Sequence, residues 1–275
     1  MATAPLRLGA VGYLNARPLV YGLERQPRFD LRYDIPSECA RLLHGHEIDV
    51  GLIPSIEYLR GQEPYLFVPG PAVTSRGPVA SVAIYTRIEP KDIRTIAMDT
   101  SSRTSVALST VLLRRVFGAA PDAVPMAPDL VAMLARADAA LIIGDNALFL
   151  DHTMVRLKPD TTGLSAVRKI DLGELWTKET GLPFVYAVWA GWRDALTPED
   201  VRLLQRARDE GVADSDGVAR AYYPDDPARQ AVARQYLRDN IRYVLGPEEL
   251  EGLRTFYRYA AEAGLVAEAR ELCFY

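Results

Sequence analysis

The stretch Met98-Asp99-Thr100-Ser101-Ser102-Arg103-Thr104-Ser105 joins two segments with different patterns. The β-prone run Thr95-Ile96-Ala97-Met98 precedes it, and the run from Val106 to Phe117 follows with the apolar spacing of a helix. We therefore predict a strand, a hydroxyl-rich turn and the first turn of a helix. Such alternation of strand and helix indicates an α/β fold.

The start of this helix is a candidate anion site. The first turn of a helix leaves N–H groups without intrahelical partners and carries the positive end of the helix dipole. The hydroxyls of Ser101, Ser102, Thr104 and Ser105 and the charge of Arg103 add to these donors, so a carboxylate is the expected ligand. The alternative is that the hydroxyls only cap the helix, as Ser and Thr commonly do.

Composition and charge narrow the class of protein. The 275 residues are 49% hydrophobic and 25% charged, which is typical of a globular protein with one or two domains. The net charge of −4 argues against binding to nucleic acid or an anionic membrane, because both require a basic surface. Two cysteines and three histidines are too few for a disulfide framework or a His-rich metal site.

The N-terminal segment predicts the compartment. Residues 1–7 run directly into a β-prone stretch and lack an apolar signal core. No apolar run along the chain approaches the length of a membrane span. We therefore expect a cytoplasmic protein.

Other helix starts follow β-prone runs in the same way. Asn15 lies in the turn from Gly12 to Pro18, where its amide should face the carboxyl edge of the first strand. Pro54 follows the apolar run Asp49–Ile53. These starts should point towards the same edge of a sheet.

Three further residues have both a functional and a structural reading. Gly144 follows the apolar run from Ala139 to Ile143 and would allow a ligand to approach the backbone closely. Asp145 next to it more often caps a helix than does chemistry. Ser81 interrupts an apolar strand, where a serine is usually just a tolerated small residue.

The order of strands and helices predicts two α/β lobes. The charged break Glu89-Pro90-Lys91-Asp92 marks a crossing into a second lobe, and the aromatic strand from Phe184 marks the return. We predict one lobe from residues 1–88 plus 185–275 and an inserted lobe from 89–184. Ligands of such folds lie at the carboxyl edges of the strands, which here would form a cleft.

Several segments, in their order along the chain, resemble the chorismate dehydratases of the futalosine route to menaquinone. They are Gly12-Tyr13-Leu14-Asn15-Ala16-Arg17-Pro18-Leu19, Asp49–Pro54, Asp99–Ser105, Ile143-Gly144-Asp145 and Gly181-Leu182-Pro183-Phe184. The resemblance implies a two-lobe, type II periplasmic-binding-protein-like fold with the ligand cleft between the lobes. It implies a carbon–oxygen lyase that removes water from chorismate, with no cofactor or metal.

The resemblance also assigns roles to residues. It implies that Asn15 and Ser81 act in catalysis, and that substrate binding involves Ser102, Arg103, Thr104, Ser105, Gly144 and Asp145. Arg103 is either a ligand of the anion or an outward structural arginine. No histidine stands in the matched segments, so one hypothesis is that the enolpyruvyl carboxylate of chorismate itself accepts the proton.

Other functions share this expected fold. A non-catalytic cytoplasmic protein that binds a small carboxylate is one alternative, since a fold alone does not establish a function. The dihydroxynaphthoate synthase of the same pathway, which acts on cyclic dehypoxanthine futalosine, is another. The segment around Asn15 resembles the dehydratase pattern more than that of the synthase.

Overall fold

The computed structural model describes residues 4–62, 64–154 and 166–275. Parts of the predicted lobes, at 1–3, 63 and 155–165, lie outside the described residues. In chain order, the strands are β1 Leu6–Val11, β2 Phe29–Asp34, β3 Val50–Pro54, β4 Leu66–Ser75, β5 Val82–Thr86, β6 Thr95–Met98, β7 Asp122–Pro125, β8 Ala139–Ile143, β9 Arg168–Asp171, β10 Phe184–Gly191 and β11 Arg242–Val244.

Helices connect these strands. The α-helices are α1 Pro36–His44, α2 Arg103–Phe117, α3 Leu130–Leu134, α4 Gly144–Leu148, α5 Leu172–Thr180, α6 Pro198–Ala213, α7 Ser215–Tyr222, α8 Pro227–Asp239 and α9 Pro247–Glu262. Short 3-10 helices span Leu14–Val20, Leu23–Arg25, Ser55–Leu59, Pro90–Asp92 and His152–Met154. Within the described ranges, no helix combines the length and apolar character needed to cross a membrane.

The described strands form two mixed sheets. The first has the order β11-β4-β10-β3-β1-β2, and the second has the order β7-β6-β8-β5-β9. β1, β2 and β3 are parallel, as are β6, β7 and β8, while β10 and β5 run antiparallel to their neighbours. Each sheet therefore has a group of parallel strands whose carboxyl ends lie at one edge.

The chain leaves the first sheet earlier than the sequence predicts. β5 pairs antiparallel with β8 and β9, so residues 82–86 belong to the second sheet and not with the predicted lobe of residues 1–88. The charged segment Pro90–Asp92 is a 3-10 turn after β5. Its charges break the apolar pattern without marking a crossing. The sheets show which strands pair, but the division of the chain into two lobes at these residues stays a prediction.

Aromatic packing attaches the C-terminal helix to both the return strand and the second-sheet region. The indole of Trp176 in α5 lies edge-on to Phe184 in β10, with ring centroids 5.1 Å apart. Phe256 in α9 packs against Phe184 at 4.9 Å. All three side chains are fully buried, and large aromatic groups contribute much of the apolar area removed from water.

The C-terminal third differs from the predicted helices. Charged residues and apolar stripes alternate beyond Trp192 and predict a helix from Asp226 to Tyr243. In the structure this helix, α8, ends at Asp239, and Tyr243 lies in the edge strand β11, which pairs with β4. Three residues are too few to show the alternating pattern of a strand. The strand forms because it pairs with β4, which is distant in the chain, and a local pattern does not reveal that pairing. The structure also contains α7, in a segment to which the sequence pattern assigns no helix.

Candidate active site

A cavity lined by residues from both sheets lies between them. The ends of β1, β3 and β8 reach its wall, together with the start of α2 and the residue before β5. The wall consists of Val11, Tyr13, Asn15, Ala16, Pro36, Leu52, Pro54, Val73, Val79, Ser81, Val82, Ser102, Ser105, Ile143, Gly144, Tyr186 and Ala187. A mostly apolar wall with a few polar groups is typical of ligand sites.

The structure brings the two predicted catalytic residues together. Asn15 and Ser81 both line the cavity. Asn15 follows β1 of the first sheet, and Ser81 directly precedes β5 of the second sheet. The buried hydroxyl of Tyr236 in α8 is 2.7 Å from Ser81 Oγ and also forms a hydrogen bond with the Asn15 side chain. Burial raises the pKa of Tyr236 well above its ordinary value, so the phenol stays protonated at neutral pH.

Ser102 and Ser105 form a hydroxyl pair on the cavity wall. Their Oγ atoms are 3.1 Å apart, and Ser102, the residue that precedes α2, makes no side-chain capping bond. Residues three apart on a helix lie on the same face, so both hydroxyls point the same way. The geometry at Ser102 thus differs from the capping alternative and leaves both hydroxyls beside the first turn of the helix.

Arg103 and Thr104 make contacts away from this wall. The guanidinium Nη1 of Arg103 lies 2.7 Å from Glu57 Oε2. The Thr104 hydroxyl accepts a hydrogen bond from the backbone N–H of Ile56 at 3.2 Å. Both residues therefore attach the start of α2 to the 3-10 helix Ser55–Leu59, and their predicted role in direct substrate binding stays untested.

Glu57 is the centre of a charged cluster. Its carboxylate, 1% exposed, also receives Arg60 Nη1 at 2.9 Å and contacts His44 Nε2 at 3.0 Å. Burial favours the neutral acid, but the hydrogen bond with His44 and the charges of Arg103 and Arg60 outweigh it and lower the pKa of Glu57. A carboxylate is therefore retained beside the start of α2.

Position 144 requires a glycine for two reasons, its backbone conformation and the side chain packed against it. Its φ is +63°, and an added Cβ would lie 3.1 Å from the ring of Tyr13. Its N–H donates to the Ser81 carbonyl at 2.8 Å. Gly144 thus allows β8 to end directly against the cavity wall.

Asp145 links the second sheet's connections to the first lobe. Its carboxylate accepts hydrogen bonds from the Leu14 N–H at 3.2 Å and from the Tyr222 hydroxyl at 2.6 Å. Burial raises its pKa, although the hydrogen bond from Tyr222 partly offsets this effect. Because Leu14 precedes Asn15, Asp145 holds the backbone that carries a predicted catalytic residue.

The match to a family model covers almost the whole chain. A model described as menaquinone biosynthesis matches residues 6–262. The chain belongs to this menaquinone-biosynthesis family. A chorismate dehydratase of Thermus thermophilus is 33% identical over 258 residues, which cover 92% of this chain and 94% of that protein. The predicted family relationship is confirmed.

Solved structures extend the comparison of the fold. A protein of Archaeoglobus fulgidus superposes with a TM-score of 0.73 at 17% identity and covers 97% of this chain and 100% of its own. The alkanesulfonate-binding protein SsuA from Xanthomonas axonopodis gives 0.64 at 17% identity, with 97% and 95% covered. At these identities the likeness shows the fold alone, and it confirms the predicted α/β periplasmic-binding-protein-like architecture.

In this member of the menaquinone-biosynthesis family, several residues around the cavity have no clear signal in the sequence. Tyr236 lies on a C-terminal helix with the pattern of a surface helix, and Tyr222 lies in the segment Tyr222-Tyr223-Pro224, which the sequence predicts as a break between helices. Glu57 lies in a short apolar segment. Tyr13 stands in a matched segment, and its hydroxyl donates to Ser101 Oγ at 3.1 Å. A tyrosine at a buried helix position is the one hint available, since its hydroxyl needs a partner.

A metal site needs several His, Cys, Asp or Glu side chains close together. Among the residues that the structure describes, no group of three or more His, Cys, Asp or Glu side chains could hold a metal ion. The polar groups on the cavity wall are hydroxyls and the Asn15 carboxamide. These groups can donate hydrogen bonds to carboxylates.

Proposed function

We propose that this protein is a chorismate dehydratase, a hydro-lyase that converts chorismate to 3-[(1-carboxyvinyl)oxy]benzoate and water in menaquinone biosynthesis. The family relationship carries the proposal, since the chain is 33% identical to a chorismate dehydratase over 92% of its length. The cavity lined by both Asn15 and Ser81 supports it. The cytoplasmic location stays a prediction.

Substrate binding uses the start of α2. In the proposal, the hydroxyls of Ser102 and Ser105 and the first turn of the helix bind the ring carboxylate of chorismate. Gly144 lines the cavity, and its missing side chain leaves room for the ring of Tyr13 beside it. Arg103 and Thr104 act indirectly, since their contacts fix the start of α2 against residues 55–59.

The reaction is an elimination assisted by charge delocalisation. Removal of the ring proton beside the enolpyruvyl ether moves negative charge into the conjugated ring carboxylate. Donors already directed at that carboxylate stabilise the enolate-like intermediate, because their interaction strengthens as the charge develops. The neighbouring hydroxyl then leaves, and water and an aromatic ring are formed.

The proton acceptor in this proposal is the enolpyruvyl carboxylate of the substrate. Asn15 orients that carboxylate with its carboxamide, and Ser81 forms a hydrogen bond with the substrate. The two side chains suit these roles because both reach the same part of the cavity and share Tyr236 behind it. Positioning of a reacting group in this way can supply a large part of the rate enhancement.

The experiment is a comparison of two substrates. The purified protein is incubated with chorismate alone and, separately, with cyclic dehypoxanthine futalosine, and ultraviolet absorbance is followed. We expect an aromatic product from chorismate only. Turnover of the futalosine derivative instead would favour the sister synthase, and binding of chorismate without turnover would favour a non-catalytic binding protein.

A further inference from the structure

Tyr236 lies behind the cavity wall and not in it. It belongs to α8, it is 2% exposed, and its hydroxyl is 2.7 Å from Ser81 Oγ. The same hydroxyl forms a hydrogen bond with the Asn15 side chain. One phenol therefore contacts both predicted catalytic side chains, one from the connection after β1 and the other from the residue before β5.

The backbone of Ser81 is already fixed on several sides. Asp171 accepts the N–H groups of Val79 and Ala80 at 3.0 and 2.7 Å, and Ala80 adopts a φ of +63° that is unfavourable for a residue with a side chain. The Ser81 N–H donates to the Val79 carbonyl at 2.8 Å. The freedom that remains at this position is the rotation of the Ser81 side chain and its hydroxyl hydrogen.

A neutral phenol can set that rotation. It has one hydrogen to donate and lone pairs to accept, so it can donate to one of its two partners while it accepts from the other. The direction of the Ser81 hydroxyl hydrogen and the orientation of the Asn15 carboxamide are then coupled. Without the phenol, each side chain could turn away from the substrate at little energetic cost.

We propose that Tyr236 is a positioning residue for the dehydration, which orients the Ser81 hydroxyl and the Asn15 carboxamide towards the substrate. The inference rests on the proposed function, because it assigns a partner to the groups that act in that reaction. Tyr236 is not among the residues that line the cavity, so its effect passes through its two neighbours.

The chain offers a matched control. Tyr243 in β11 is also a buried tyrosine, and its hydroxyl has no hydrogen-bond partner among the described atoms. Tyr236→Phe and Tyr243→Phe therefore remove the same group from two buried sites. One of these groups contacts the predicted catalytic side chains, and the other forms no hydrogen bond with the described residues.

The test measures kcat and KM for chorismate in the wild type and in both variants. We expect Tyr236→Phe to lower kcat by roughly tenfold to a hundredfold with KM changed less than about threefold, as for a loss of orientation in the reacting complex. Tyr243→Phe should keep both parameters. Combined with Ser81→Ala, Tyr236→Phe should cause a smaller further loss of kcat than it causes alone.

Two outcomes separate this inference from the proposed function. Absence of chorismate turnover by the wild type would overturn both. Turnover by the wild type with an unchanged kcat in Tyr236→Phe, or with equal losses in the two tyrosine variants, would overturn only the role of Tyr236.

If Tyr236→Phe does not fold, 4-aminophenylalanine at position 236 provides a substitute N–H donor. Activity close to wild type then supports positioning, and a folded but inactive protein contradicts it.

Discussion

Neighbouring residues of similar chemistry have different surroundings in this protein. Ser102 and Ser105 face the cavity, while Arg103 and Thr104 between them contact Glu57 and Ile56. The spacing of a helix explains the difference, because residues three apart share a face and those between them do not. The sequence predicted a site rich in hydroxyls, but the partner of Arg103 is Glu57, which lies 46 positions away and could not be read from the local pattern.

Replacement of Ser105 tests the carboxylate site directly. Ser105→Ala removes a hydroxyl from the cavity wall and should weaken binding of the reaction product, which keeps both carboxylates, by roughly tenfold, as expected for a hydrogen bond to a charged group. Titration calorimetry measures this affinity. Ser109→Ala is the control, because the Ser109 hydroxyl donates to the Val106 carbonyl within the same helix. Equal affinities in the two variants would contradict the role of Ser105.

At the scale of elements, the predicted strands β1, β3 and β8 and the start of α2 agree with the structure, and their ends meet at the cavity. These elements have strong local signals: apolar strands covered on both faces and a hydroxyl-rich helix start. Two strands differ from the prediction: the sequence predicts the residues of β5 in the first lobe and those of β11 in a helix. Their sheet membership depends on pairing with distant strands, which a pattern of a few residues does not specify.

The attachment of α2 to the first lobe predicts a loss of stability in Glu57→Gln. This change removes a carboxylate that is 1% exposed and leaves Arg60 and Arg103 without their counter-charge. Because both guanidinium groups are more than a third exposed, solvent reduces the penalty below that of a fully buried pair. We expect the free energy of unfolding in urea to fall by about 2 kcal/mol.

The control for this change is Glu199→Gln. Glu199 also pairs with two arginines, but its side chain is 56% exposed. Screening by water makes such surface pairs weak, so the urea midpoint should stay close to that of the wild type. Equal stability of the two variants would show that the Glu57 cluster does not hold α2 in place.

At the scale of the whole molecule, the lobes are joined across the cavity. Tyr13 contacts Ser101, Leu14 contacts Asp145, and Arg103 contacts Glu57. The sequence predicted a cleft between two lobes, and helix starts directed at it. It did not reveal that Asp145 accepts hydrogen bonds from the other lobe. That arrangement depends on how the two sheets are placed, and no single segment encodes it.

The pairing of Arg28 with Asp200 predicts how stability depends on pH. Two hydrogen bonds of 2.8 and 2.9 Å join the groups, and those from Arg28 lower the pKa of Asp200 to about 2. A lowered pKa means that this stabilisation is complete above about pH 4 and is lost as the pH falls towards 2. It amounts to about 2 kcal/mol.

Unfolding in urea between pH 6 and pH 2 measures this effect. Asp200→Asn should be less stable than the wild type at pH 6, and the difference should shrink as the pH falls below about 4. A difference in the free energy of unfolding that stays constant down to pH 2 would show that the charge of Asp200 does not stabilise the fold.

The most direct measurement is the rate at which the protein forms 3-[(1-carboxyvinyl)oxy]benzoate from chorismate, with the product identified by mass as chorismate less water. The wild type should turn over many times, and Asn15→Ala combined with Ser81→Ala should lower kcat by at least roughly a hundredfold while calorimetry still detects chorismate binding. A wild type without turnover, or a double variant as fast as the wild type, would contradict the assignment of this cavity as the site of dehydration.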